Sequence, residues 1–239
     1  MQTIILTGST GGLGSVLAER IMEQGLGDLI CVYRNEAKFQ KMFAEKSGAM
    51  YSYRTSEKDD FTGLEQMLAA MAAEEVVLIL NAFSIVPIKR VGTYTQSEIG
   101  GMVGGNVRQN VVLLNAVLRF CGGTGRKLRI VNLDSGAADF PLQGWGSYCA
   151  SKAYLNAFLS VIALENPEHR VVSFDPGVMD TGMQAQIRQT DKRVFDQVNQ
   201  FIAYRDDQKL AAPEAVADEL IERYISRWTA TALREERRS

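Results

Sequence analysis

Tyr148 and Lys152 stand four residues apart in Tyr148-Cys149-Ala150-Ser151-Lys152. On a helix that spacing puts both side chains on one face, where a phenol and an ammonium can share a site. An unperturbed tyrosine titrates near pH ~10, so trading a proton near neutrality calls for a neighbouring cation. Lys152 is placed to supply that charge and lower the phenol's pKa. By itself such a pair recurs by chance, as an exposed tyrosine beside a surface lysine. Here it has company. Ser135 lies thirteen residues upstream, just past an apolar run ending at Leu133. Its hydroxyl can reach a carbonyl oxygen held by Tyr148. Asn106 falls on a long helical segment and can hold a water against Lys152.

A second motif could hold an anion. Thr7-Gly8-Ser9-Thr10-Gly11-Gly12-Leu13-Gly14 follows the first apolar run directly and opens the first helical segment. Without side chains at Gly8 and Gly12 the backbone can approach a pyrophosphate. Gly14 lets the helix pack close to the sheet, and the helix N-terminus offers unpaired N–H groups. The plain alternative is a tight strand-to-helix turn with no ligand. Its place at the start of an alternating chain favours a dinucleotide. An acidic residue about 20 positions on would hold a ribose hydroxyl and select NAD. Tyr33 and Arg34 stand there instead. A guanidinium can fork onto the 2′-phosphate of NADP, so NADP(H) is the expected cofactor. The alternative for Arg34 is a solvated surface position.

These side chains need elements to carry them. Apolar runs at 4–6, 29–32, 76–80, 128–131 and 171–174, with a weaker one at 50–53, read as strands. Between them lie helical segments near 13–21, 36–46, 61–71, 96–121 and 147–165, where apolar residues step by three and four. Strands apolar throughout suit a parallel sheet covered on both faces. The alternation therefore predicts an α/β fold: a doubly wound, Rossmann-type parallel sheet in a single domain spanning 1–239. In such sheets ligands bind beyond the carboxyl ends of the strands. Asn81, Ser135 and Pro176-Gly177-Val178-Met179-Asp180-Thr181 all follow strand ends. Past Pro176 the periodicity weakens, and 178–210 reads as a substrate lid with one or two short helices. Within it Met179, Met183, Phe195 and Phe201 either line an apolar pocket or pack the lid. Pro213 opens a last helix, 228–231 reads as a short final strand, and the basic run 234–238 reads as a solvated tail.

Composition excludes other chemistries. Twenty-six basic against twenty-eight acidic residues leave a net charge of −2, no footprint for nucleic acid or an anionic membrane. Three cysteines without a CxxC argue against disulfides and zinc and fit a reducing compartment. The single histidine, His169, reads as a surface residue, and a chain with one histidine has no multi-histidine metal site. No metal is expected. Residues 1–6 lack the basic start of a signal peptide, and the run 76–80 is far short of the ~20 residues of a membrane span. A soluble, cytoplasmic protein is expected.

Taken together, the Thr7–Gly14 loop, Asn81-Ala82, Asn106, Ser135, Tyr148/Lys152 and Pro176-Gly177 resemble the short-chain dehydrogenase/reductase family across residues 2–226. The segments around 144–148 and 176–188 are similar to its benzil reductase/sepiapterin reductase subgroup. The resemblance implies that Tyr148 protonates a carbonyl oxygen as hydride arrives. Lys152 would lower the tyrosine's pKa and bind the nicotinamide ribose. Ser135 would orient the carbonyl, and Asn106 would hold a relay water. Gly8, Thr10, Gly12, Leu13 and Gly14 would line the pyrophosphate, Asn81 would border the cofactor, and Val178 and Thr181 would meet the nicotinamide end. An NADPH-dependent carbonyl reductase acting on a ketone, a dicarbonyl or a pterin-like side chain follows, assembled as a homodimer or homotetramer on the two long helices. An NADP-binding sensor without turnover and an NAD-dependent alcohol dehydrogenase are the alternatives. Four features depart from the family, the first being Gly11, or Thr10 one earlier, where its NADP enzymes commonly carry a basic residue, so that Arg34 carries the NADP preference nearly alone. Phe83 stands where the family's asparagine–alanine motif has glycine. Its adenine-holding aspartate has no match among Arg54, Thr55 and Asp59-Asp60. The glycine-rich C-terminal ending is missing.

Overall fold

The computed structural model describes residues 1–44, 50–56 and 58–237. Five of the six residues of β1 (Gln2–Thr7) are buried, and so are five of six in β2 (Asp28–Tyr33) and β4 (Glu75–Leu80). Side chains alternate faces along a strand, so such runs need cover on both sides. Helices provide it. On one face Ile4 and Leu6 pack with Leu17 and Ile21 of α1 (Leu13–Glu23) and Val216 and Leu220 of α9 (Pro213–Leu220). On the other, Ile5 packs with Leu64 of α3 (Thr62–Ala69), Leu114 of α5 (Gln109–Thr124) and Leu159 of α6 (Gly146–Glu165). With β3 (Met50–Arg54), β5 (Lys127–Leu133), β6 (Arg170–Asp175) and β7 (Arg234–Glu236), the strands form one parallel sheet ordered β3-β2-β1-β4-β5-β6-β7. This is the doubly wound α/β fold that the sequence predicts. The direction of winding reverses between β1 and β4, which opens a crevice at their carboxyl ends.

Further helices are α2 (Glu36–Phe43), α4 (Gln96–Met102), and two short ones after β6, α7 (Gly182–Arg188) and α8 (Val198–Asp206). Between α4 and α5 the helix widens into a π-turn over Val103–Arg108, and Asn106 lies on that turn. Such bulges often mark functional positions. The helix expected over 36–46 ends at Phe43, and 45–49 lie outside the described residues.

The C-terminal expectations are corrected. Residues 228–231 form no strand, and the basic run does not float free. Arg234–Glu236 is the strand instead, with Ser173 opposite Arg234. The reason is charge pairing. Arg234 donates to Asp134 at 3.0 Å and to Asp139 at 2.6 Å, while Glu235 accepts from Arg223 and, at 2.7 Å, from the Tyr224 hydroxyl. The expected surface histidine is also corrected. The His169 side chain is only 5% exposed, 3.7 Å from Glu168, at the amino end of β6 and so on the edge opposite the crevice. Among the described residues no helix is long and apolar enough to cross a membrane.

Arg234→Ala leaves the buried Asp134 carboxylate with Asn156 as its side-chain partner. With the arginine itself 41% exposed, the expected cost is about 1–2 kcal/mol, a fall in Tm of about 2–8 °C. Thermal unfolding of the variant checks it; an unchanged Tm would mean that β7 adds nothing to the sheet.

Candidate active site

Thr7, the last residue of β1, ties two strand ends together. Its hydroxyl donates to the Ile79 carbonyl and accepts from the amides of Asn81 (2.9 Å) and Ala82 (3.0 Å). Asn81 answers by donating its side-chain amide to the carbonyls of Thr7 (3.1 Å) and Gly8 (3.3 Å). The glycine loop is thus stitched to β4 across the crevice. Gly8 has φ +69°, a backbone that favours glycine. At Gly14 a Cβ would lie 2.2 Å from the Gly8 carbonyl oxygen and 2.5 Å from the Asn81 amide, so no side chain fits there. This close approach is to the loop and Asn81 rather than to the sheet as a whole. No side chain caps the start of α1, and its first turn holds no acidic residue. Its orphan N–H groups therefore suit an anion.

Thr10, Gly12, Leu13, Arg34 and Thr181 line the resulting cleft of about 640 Å³. Lys38 joins them. It sits in the first turn of α2, its backbone amide held by Asn35 at 2.9 Å, and a Cβ on Gly11 would lie 3.0 Å from its amine. The cleft therefore carries two cations, Arg34 and Lys38, beside the glycine loop. Of the residues offered for the adenine-holding place, Thr55 lines the cleft, while Asp59 turns inward to accept from the Tyr53 hydroxyl and the Phe61 amide.

Across the cleft, Tyr148 and Lys152 enter from α6. Ser135 follows β5, its hydroxyl accepting from the Ala137 amide at 3.2 Å and placed where it favours the ionised Tyr148 phenol. Lys152 is 2% exposed and donates to the Leu133 carbonyl. Burial pushes its amine down to about 7, with the carboxylates of Asp134 and Asp175 pulling the other way. Burial likewise holds the Tyr148 phenol above its ordinary value, against the pull of Ser135. The expectation that Lys152 leaves Tyr148 with a lowered pKa is corrected: the lysine nitrogen stands 5.7 Å from the ring centre, and loss of water outweighs it. Tyr148 is a protonated phenol at neutral pH.

Asn106 is buried, and its side chain is engaged with the loop after β4: it accepts from the Ser84 amide at 2.9 Å and donates to the Ser84 carbonyl at 2.7 Å. Val178 is placed differently from Thr181. It packs into an aromatic cluster, and its carbonyl accepts from the Ala211 amide. Met179 and Met183 line the cleft. Phe195 and Phe201 do not; they pack on Trp145 at 4.9 and 5.6 Å, and Trp145 meets the Tyr148 ring edge-on at 5.7 Å. They therefore brace the tyrosine from behind.

Asp134, Asp175 and Lys38 were not among the residues singled out from the sequence. Asp134 and Asp175 each immediately follow or end a strand at the carboxyl edge, which is the one signal that could have found them. Lys38 had none, because its relevance comes from α2 turning back on the loop.

The family profile described as short chain dehydrogenase matches residues 2–192. A benzil reductase ((S)-benzoin forming) of Bacillus cereus is 31% identical over 228 residues, covering 91% of each chain. The sepiapterin reductase of Bos taurus is 29% identical over 202 residues, covering 78% of this chain and 76% of its own. Among solved structures, the KRED1-Pglu enzyme superposes with a TM-score of 0.82 at 23% identity, covering 94% of this chain and 96% of its own. A serine dehydrogenase complexed with NADP+ superposes with a TM-score of 0.76 at 21% identity, covering 98% and 94%.

A buried amine with a depressed pKa costs stability. Its charged form is penalised fully below pH about 7, and the penalty fades as pH rises toward the ordinary lysine value. Lys152→Met is therefore expected to raise Tm by at least ~4 °C in mildly acidic buffer, with the gain shrinking in alkaline buffer. Thermal melts across pH check this; a gain independent of pH would show that the charge is not what the fold resists.

Proposed function

The chain belongs to the short-chain dehydrogenase/reductase family, and from that premise we propose that it is an NADPH-dependent carbonyl reductase. The observation that carries the reading is a buried phenol, Tyr148, facing a glycine-loop cleft that also holds Lys152, with its pKa held above the ordinary value by burial. A phenol kept protonated is suited to give a proton, the direction a reduction needs. The glycine cradle fits the phosphates of a dinucleotide, because Gly11 and Gly12 line the cleft without side chains and α1 presents uncapped amides. Arg34 and Lys38 would hold a 2′-phosphate, which supports NADP over NAD. When bound, the nicotinamide supplies the hydride.

The chain's own groups supply the rest. Tyr148 donates its proton to the carbonyl oxygen as negative charge builds there. Ser135 donates a hydrogen bond to the same oxygen and orients it. Lys152, as an ammonium, stabilises the phenolate left behind and would bind the ribose hydroxyls. Asp134 and Asp175 favour that charged lysine. Asn106 fixes the loop after β4, which borders the site. Met179 and Met183 make the substrate end apolar, which suits a vicinal dicarbonyl with bulky apolar arms, in keeping with the benzil reductase it resembles. Exposed Ile99 and Val103 before α5, and Tyr154, Val161 and Leu164 on α6, support assembly of two or four copies along these helices.

The test is nicotinamide oxidation against a panel of ketones and dicarbonyls with both reduced cofactors. Tyr148→Phe is expected to cost at least ~100-fold in kcat with cofactor affinity retained. Arg34→Asp is expected to weaken NADPH binding by at least ~10-fold and leave NADH binding nearly unchanged. Equal turnover by wild type and Tyr148→Phe would remove Tyr148 as the acid.

A further inference from the structure

Phe83 breaks the sequence pattern of the family and lies against the centre of the site. It follows Asn81-Ala82 at the end of β4, is half-buried, and lines the same cleft as Lys152 and Tyr148. Its ring centre is 3.2 Å from the Lys152 nitrogen. A cation on the face of an aromatic ring is held by the ring's quadrupole, and the attraction grows when water is excluded.

The surroundings of Lys152 explain what the ring does there. An ammonium has three donors and needs partners when buried. One donor goes to the Leu133 carbonyl. The charged and titratable groups that act on the amine are Asp134 after β5, Asp175 at the end of β6 and Tyr148 on α6. Asp134 is already engaged by Asn156 and Arg234, and Asp175 by the Gly177 amide. Neither carboxylate is hydrogen-bonded to the lysine. The Phe83 face is thus the nearest remaining partner of the ammonium, and it sits on the cleft side.

We infer that Phe83 is a positioning residue acting through Lys152: its ring holds the ammonium in place as a stand-in for ligand oxygens, and it must swing aside before ribose hydroxyls can take that position. The inference rests on the proposed role of Lys152 in binding the nicotinamide ribose. It makes Phe83 a brake on cofactor affinity that a glycine would not impose. Movement is open to it, because the ring is half-buried and borders the cleft rather than the sheet.

The test is binding alone, by NADPH fluorescence titration without a carbonyl substrate, on wild type, Phe83→Gly, Phe83→Leu and Phe83→Trp, with Tm recorded for each. Leucine keeps most of the bulk and loses the quadrupole; tryptophan strengthens it. Expected dissociation constants fall in the order Trp, Phe, Leu, Gly, with Leu about threefold and Gly about tenfold tighter than wild type. The order should be independent of Tm, which separates this role from mere packing. Leu and Gly variants that bind NADPH no tighter than wild type would overturn the inference while leaving the reductase reading intact. Absence of NADPH and NADH binding in all four proteins would overturn both.

Discussion

A positive charge sits at the carboxyl edge of the sheet with almost no water around it, and much of the molecule is arranged to keep it there. Transfer of an ammonium out of water is costly unless hydrogen bonds and opposite charge replace the lost solvent. Lys152 has one strong acceptor, the Leu133 carbonyl, one aromatic face, Phe83, and two carboxylates nearby. They come from three strand ends: β5 supplies Leu133 and Asp134, the loop after β4 supplies Phe83, and β6 closes on Asp175. The lysine can be placed this way only if three strand ends and α6 meet at one edge. A parallel sheet wound in both directions from β1 and β4 brings those ends together.

The same edge is braced from outside. The Arg234 guanidinium reaches from the last strand to Asp134, next in sequence to the lysine's carbonyl partner and one residue before Ser135. On the other side of the cleft Thr7 and Asn81 lock the glycine loop to β4, whose continuation carries Phe83. Behind Tyr148, Trp145 packs with Phe195 and Phe201 into one aromatic cluster. Site and scaffold are therefore not separable here. Residues that look structural (Asp134, Asn81, Trp145) hold the positions of those that do chemistry.

Much of this was legible in the sequence because periodicity and strand-end placement are local signals. Buried runs gave the strands, three-and-four steps gave α1, α5 and α6, and the order of motifs placed Ser135, Tyr148 and Lys152 at one edge. What stayed hidden depends on three-dimensional neighbours. The sign of the Tyr148 shift follows from how much water reaches it, which spacing does not reveal. β7 is polar, Arg234-Glu235-Glu236, and forms because its charges find partners on distant loops, so no apolar pattern announced it. Lys38 reaches the cleft only because α2 folds back over the glycine loop. Phe83 was visible as a departure, but its stacking on Lys152 was not.

The most direct measurement is the titration of Lys152 itself. Protein labelled with carbon-13 at lysine side chains, with Lys152→Arg used to assign its signal, gives the amine's ionisation by NMR. A buried ammonium held as described titrates well below the ordinary lysine range, toward about 7. NADPH should move it upward as ribose hydroxyls replace the ring face. A Lys152 signal that titrates with the surface lysines and ignores NADPH would contradict the central claim.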